Sequence, residues 1–237
     1  MDDLLLSARE LSKKYGKNSS YALEKFNGDF SAGELVAVIG SNGAGKSTLF
    51  DILGGLIKPT KGVLNTFVDN TQIGWCPQRE VIDWSLTVRQ NISLGFELRT
   101  GSFRRSDQIE QVASLLGLAG YLDQTAETLS GGELRRTQIA RAIIGNPKLM
   151  ILDEPTTGLD PSAIDTVFKY LKSQTMAGAT ALVSTHETSK FANYCTRVIA
   201  IDRGRVIKDI EAAKFMEYAP QSNDLWDAFK ACVEDRA

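Results

Sequence analysis

Histidine is almost absent: His186 is the single one in 237 residues. A metal centre built from several imidazoles is thereby excluded. Cysteine is scarce too, and Cys76, Cys195 and Cys232 are odd in number and far apart. They offer neither metal-ligand spacing nor a disulfide framework, which points to a reducing compartment. Neither sign of charge dominates, since 27 Lys and Arg stand against 29 Asp and Glu, a net −2. That balance speaks against a broad electrostatic footprint, so no nucleic-acid partner is expected. Long hydrophobic runs are missing as well. The longest are Leu4–Leu6, Leu35–Ile39, Leu149–Leu152 and Val198–Ile201, far short of the about 20 apolar residues that span a bilayer. The start Met1-Asp2-Asp3 is acidic where a secretory signal is basic. The expected location is cytosolic, with any membrane role exercised through a partner.

What is present is a chain long enough for one sizeable core. Leu35–Ile39 is apolar and rich in β-branched residues, as a strand buried on both faces requires. A glycine-rich turn follows, and then Ser47–Leu53 reads as helix. Strand, glycine turn and helix open a βαβ unit. From Val81 to Pro147 the pattern is helical, with Asp107–Leu118 and Glu133–Ile144 as the clearest helices and Gly145-Asn146-Pro147 as a stop. Strands return at Leu149–Asp153 and Thr180–Ser184, with a helix over Pro161–Gln174 between them. A hairpin is expected at Val198–Asp202 and Arg205–Ile207, turning at Arg203-Gly204. Beyond Pro220, Leu225, Trp226, Phe229 and Val233 fit a short amphipathic helix.

Three segments carry chemistry. Gly40-Ser41-Asn42-Gly43-Ala44-Gly45-Lys46-Ser47 fits G-x-x-x-x-G-K-[ST]. Glycines leave the amides of such a loop open to phosphate, and the helix that follows points its positive end at the anion. Lys46 would reach the β- and γ-phosphates, and Ser47 would ligate Mg²⁺. Next, Leu149–Leu152 ends in Asp153-Glu154. One acid at a strand end would hold Mg²⁺ and the other would polarise an attacking water. Finally, Ser130-Gly131-Gly132-Glu133 is a capping box. Its two glycines cost a helix roughly 1 kcal/mol each. A cap alone needs no such pair, whereas exposed amides at a helix start make a second anion site.

Together with His186, these segments resemble the nucleotide-binding subunit of ATP-binding-cassette (ABC) transporters. Order and spacing match: Lys46 to Ser130 is 84 residues, Ser130 to Asp153 is 23, and Glu154 to His186 is 32. The resemblance implies a P-loop NTPase fold. This is an α/β, RecA-like core with a mostly parallel sheet, an antiparallel β subdomain and an inserted helical subdomain. It implies a core at 1–80 and 148–210, a helical subdomain at 81–147 and a helical tail at 211–237. The implied cofactors are ATP and Mg²⁺. ATP contacts fall to Tyr15, stacked on adenine, to Gly40, Ser41, Asn42, Gly43, Ala44, Gly45, Lys46, Ser47 and Thr48, and to Ser130, Gly131, Gly132 and Glu133 of a second subunit. Asp160, in Gly158-Leu159-Asp160, belongs to the loop that links the two ATP sites. Ser47, Gln78 and Asp153 are the implied metal residues. Glu154 is the implied general base, Gln78 the γ-phosphate sensor facing the membrane partner, and His186 the switch at the γ-phosphate.

The implied partners are a second ATPase subunit in a head-to-tail dimer, with a homodimer expected, and a separate transmembrane permease. The chain would sit on the cytoplasmic face of the membrane. The segment Asp83–Ile92, the Ser184–Glu187 and Asp202–Arg205 stretches and the C-terminal helix are similar to exporter-type subunits for drugs, lipooligosaccharides or peptides. Metal-ion importers share an Asp-Trp segment there, so import is the alternative. The 11 residues from Gly62 to Ile73 are fewer than the family's usual antiparallel β segment. A DNA-repair ATPase would need a long coiled coil between Lys46 and Ser130, and a translation-type cassette protein would need two cassettes. Neither fits this length.

Overall fold

The computed structural model describes residues 3–16, 19–102 and 106–235, with only the backbone of Ser106. In chain order the elements are β1 (Leu4–Lys13), β2 (Leu23–Ser31), β3 (Leu35–Ile39), α1 (Lys46–Leu53), β4 (Lys61–Thr66) and β5 (Ile73–Cys76). Three helices follow, α2 (Val88–Thr100), α3 (Ser106–Leu115) and α4 (Gly131–Ile143). The chain then returns to β6 (Leu149–Asp153), α5 (Pro161–Met176), β7 (Thr180–Ser184) and α6 (Thr188–Phe191). It ends with β8 (Arg197–Asp202), β9 (Arg205–Glu211), α7 (Ala212–Met216) and α8 (Leu225–Glu234).

A six-stranded sheet in the order β5-β6-β7-β3-β8-β9 forms the centre. Its first five strands are parallel, and β9 closes the edge antiparallel to β8. Strand β3 shows why a continuous apolar run was needed. Leu35, Ala37 and Ile39 pack into one hydrophobic cluster with helical residues such as Phe168 and Ile139. Val36 and Val38 pack into the other, with Phe26, Phe30, Leu49 and Phe50. That second cluster is roofed by an antiparallel sheet in the order β2-β1-β4. The architecture is thus the expected α/β one: a mostly parallel sheet, a small antiparallel sheet, and helices inserted between β5 and β6.

Strands β1, β2 and β4 escaped the periodicity reading. In β1 a run of four buried residues is followed by two exposed and two buried ones. The pairing of β1 with β2 shifts register near Glu10, whose φ is +52°. A bulge of this kind resets the two-residue period on which strand recognition depends. The short stretch after Gly62 is accounted for by β4 passing through a single turn at Asn70–Gln72 into β5. The hairpin strand β9 runs on to Glu211, beyond the expected Ile207.

Two capping boxes start the inserted helices. Ser130 Oγ accepts from the Glu133 amide at 3.4 Å while Glu133 Oε2 accepts from the Ser130 amide at 2.7 Å. Thr87 and Gln90 do the same for α2, a signal the sequence reading passed over. Helix α4 lies tight against β5: a Cβ at Gly74 would stand 2.2 Å from the Ala142 carbonyl oxygen. Only glycine permits that approach, and it brings α4 over the end of the strand that leads to Gln78.

Candidate functional site

The carboxyl ends of β3, β5, β6 and β7 all open on one crevice, where open α/β sheets bind ligands. The turn after β3 delivers Gly40–Gly45, and α1 begins at Lys46. Gly45 holds φ at +109°, and a Cβ there would stand 2.4 Å from the Ala22 carbonyl oxygen. The loop can therefore pass beneath the β2 entry only without a side chain. Gly45→Ala is expected to lower ATP affinity at least tenfold, read by titration with a fluorescent nucleotide, because the loop must shift to relieve both the contact and the backbone strain.

Two adjoining cavities of about 390 Å³ each flank the loop. One is lined by Asn42, Gly43, Ala44, Gly45, Lys46, Ser47, Thr48, Gln78, Asp153, Glu154 and His186. The other shares Asn42, Lys46, Glu154 and His186 and adds Gly40, Ser41, Asp224 and Trp226. Residues separated by well over a hundred positions are thus brought together. Tyr15 lines neither cavity. It is 65% exposed, and its hydroxyl is 3.2 Å from Thr48 Oγ1 while Lys13 Nζ lies over its ring. The segment Ser130–Glu133 also lines neither cavity, and Ser130 and Gly131 are exposed. Asp160 caps α5, accepting from the Ser162 and Ala163 amides at 2.9 and 3.0 Å.

The electrostatics are concentrated on Lys46, Asp153 and Glu154. Lys46 Nζ donates to the Gly40 and Ser41 carbonyls at 2.7 and 3.2 Å. Burial pulls the Lys46 pKa down, and the Glu154 and Asp153 carboxylates oppose that pull. The Glu154 side chain is only 5% exposed, yet it carries a carboxyl group. Burial pushes its pKa above the usual carboxylate range, against the lowering influence of His186 and Lys46. His186 Nε2 lies 3.5 Å from Glu154 Oε1, and the His186 amide donates to Oε2 at 3.1 Å. Asp153 accepts from the Ser184 hydroxyl, and Ser184 Oγ in turn accepts from the Glu154 amide at 2.9 Å. Sequence reasoning gives Ser184, Asp224 and Trp226 no place in the site. A serine ending an apolar strand and residues 40 and 42 positions downstream of it carry no local signal.

The donor set suits magnesium. Ser47 hydroxyl, Gln78 amide and Asp153 carboxylate face one cavity and are all hard oxygen donors. Among the described residues no group of three or more His, Cys, Asp or Glu could hold a metal alone. A cation here would draw its remaining ligands from phosphate and water, as Mg²⁺ does in nucleotide sites. Bound, it would neutralise charge on the phosphates.

Residues 23–157 match the ABC transporter family model. The chain is 32% identical over 224 residues to an energy-coupling factor transporter ATP-binding protein of Clostridium perfringens, covering 87% of this chain and 78% of that protein. It is 33% identical over 224 residues to a methionine import ATP-binding protein of Geobacillus kaustophilus, covering 87% of this chain and 66% of that protein. Neither name is that of an exporter, so these relatives do not support the exporter subtype expected from sequence. Among solved structures, an ATP-binding cassette captured as a dimer in a post-hydrolysis state with ADP and Pi superposes with a TM-score of 0.79 at 26% identity, covering 88% of this chain and 99% of that one. Fold, phosphate loop and acidic strand end meet in one conclusion: the chain belongs to the ABC transporter family, as an ATP-binding, ATP-hydrolysing subunit.

Proposed function

We propose that this chain powers a membrane transporter by closing head-to-tail on a second ATPase subunit, most simply a second copy of itself. One observation carries the reading. Lys46, Ser47, Gln78, Asp153 and Glu154 share a cavity, whereas Ser130–Glu133 of the same chain lie outside it with an exposed helix start. Each half needs the other half of a second chain, and the similar cassette with ADP and Pi is a dimer. In this reading the loop 40–48 and Tyr15 hold ATP, Ser47, Gln78 and Asp153 attend Mg²⁺, Glu154 accepts a proton from water, and His186 meets the γ-phosphate. Ser130–Glu133 and Asp160 act across the dimer. The helical insertion 81–147 forms a subdomain whose loop after Gln78 faces the permease, and Trp84, 48% exposed there, suits that contact.

Among the described residues no helix is long and apolar enough to cross a membrane. In this reading a separate permease supplies the path, and the chain docks on its cytoplasmic face. For direction, the methionine import relative favours import over the exporter reading. The test is steady-state hydrolysis by the purified chain. Turnover is expected only with Mg²⁺, to be abolished by excess EDTA, and to rise with ATP with a Hill coefficient approaching two. Hydrolysis that ignores EDTA, or a strictly hyperbolic dependence from a monomer, would overturn the reading.

A further inference from the structure

Arg135 is a buried cation that neither the phosphate loop nor the acidic pair accounts for. It sits five residues into the helix that starts at Ser130, and its exposure is 7%. Its acceptors are main-chain carbonyl oxygens. Nη2 donates to Asp153 and Glu154 at 2.8 and 2.6 Å, Nε to Pro155 at 3.2 Å, and Nη1 to Pro77 at 3.0 Å and Gln78 at 3.5 Å. One turn on, Gln138 Nε2 donates to the Pro77 and Arg79 carbonyls at 2.7 and 2.8 Å. Helix α4 therefore grips both loops that present Gln78 and Glu154 to the cavity, and it grips them from behind.

The grip matters because of the Glu154 backbone. Its φ is +50°, a left-handed conformation that a glutamate adopts only when its surroundings over-determine it. The Glu154 amide is fixed by the Ser184 carbonyl at 3.1 Å and hydroxyl at 2.9 Å, and its carbonyl by Arg135. A planar fork with five N–H donors can satisfy several carbonyls in fixed directions, which an ammonium cannot.

We infer that Arg135 is a positioning residue for hydrolysis. Its guanidinium locks the strained Glu154 carbonyl and the Pro77–Gln78 loop into one frame carried by the helix whose start is Ser130. The inference rests on the reading of Glu154 as the base. It adds that the helix engaging the partner's nucleotide also sets the geometry of its own chain's hydrolytic residues. The five residues from Ser130 to Arg135 span only about 7.5 Å of helix, so a displacement of the helix start reaches Glu154 through a single side chain.

The test uses the full chain with Arg135→Lys and Arg135→Gln, alongside Glu154→Gln. Expected is a fall in kcat of at least tenfold for Lys and more for Gln, with MgATP affinity of the monomer within threefold of the parent. The Hill coefficient should drop towards one, and free methylguanidinium should restore part of the turnover of Arg135→Ala. A folded Arg135→Lys with kcat within twofold of the parent overturns the inference. So does a variant that loses ATP binding and thermal stability together with activity, which would make Arg135 merely structural. If Glu154→Gln hydrolyses normally, the reading of Glu154 fails and this inference falls with it. If Glu154→Gln is inert but Arg135→Lys is unimpaired, only the positioning role fails.

Discussion

Glu154→Gln should bind ATP about as well as the parent and hydrolyse it about 10²–10⁴-fold more slowly, the range for loss of a positioned general base. The amide keeps the shape of the carboxylate and can still accept from the His186 amide, which now donates to Glu154 Oε2. What disappears is the charge that takes a proton. A working base must be ionised and also basic enough, so a carboxylate with its pKa raised towards neutrality is suited to the task. Burial raises that of Glu154. Single-turnover hydrolysis beside nucleotide titration decides the matter, and parent-like turnover would remove Glu154 from its role.

The same shift fixes two pH effects. As the proposed base, Glu154 acts only when ionised, so kcat/KM should fall in acid with a midpoint above the ordinary carboxylate value of about 4.3. His186 lowers the Glu154 pKa, and His186→Gln should therefore move that acid limb further up. Stability runs the other way. A carboxyl whose folded pKa is raised favours the folded state in its protonated form. Its contribution is full below the unfolded pKa and lost as pH rises through the folded one. Replacing Glu154 by neutral glutamine removes that loss. Glu154→Gln should unfold at a higher temperature than the parent near neutral pH, with the difference closing in acid.

Much of the core could be read from single segments because burial on both faces leaves a compositional mark. Strands β3, β6 and β7 are five residues long and buried throughout, with an apolar run of three to five residues in each. Ser130–Glu133 was readable as a cap because the signal lies within four residues. The three-stranded sheet was not, since bulges at Glu10 and Lys25, both with positive φ, break the alternation. Arg135 was hidden for a different reason. A basic residue on a helix is ordinarily solvated, and only the close seat of α4 on Gly74 turns it inward. Trp226 was read as one face of an amphipathic helix, but it is half-buried and lines the cavity beside Gly40 and His186. The exporter resemblance is not supported by these relatives, neither of which is named as an exporter.

Ser130→Arg should abolish ATP-induced dimerisation while the monomer still binds ATP. Ser130 lies outside the cavity of Lys46, so the chain's own nucleotide has no direct need of it. Its exposed position instead opens a helix whose first amides have no acceptor within the helix. The next residue, Gly131, has no atom within 4 Å of where a Cβ would stand, so the start of α4 is open to an incoming ligand. Arginine there removes the cap, at a cost of about 1 kcal/mol, and sets a bulky cation on the positive end of the helix dipole. Ser130→Ala removes the cap alone and separates the two effects. Light scattering with ATP in the Glu154→Gln background reads the outcome, and a dimer formed by the arginine variant would sink the head-to-tail arrangement. Mixing sharpens the test. Ser130→Arg keeps an intact Lys46, and Lys46→Ala keeps an intact Ser130. Each is expected to be inactive alone, but a head-to-tail pair of the two holds one site with both residues intact and one site with neither. Activity should therefore reappear on mixing. A site completed within a single chain would predict no recovery, because neither variant contains a whole one.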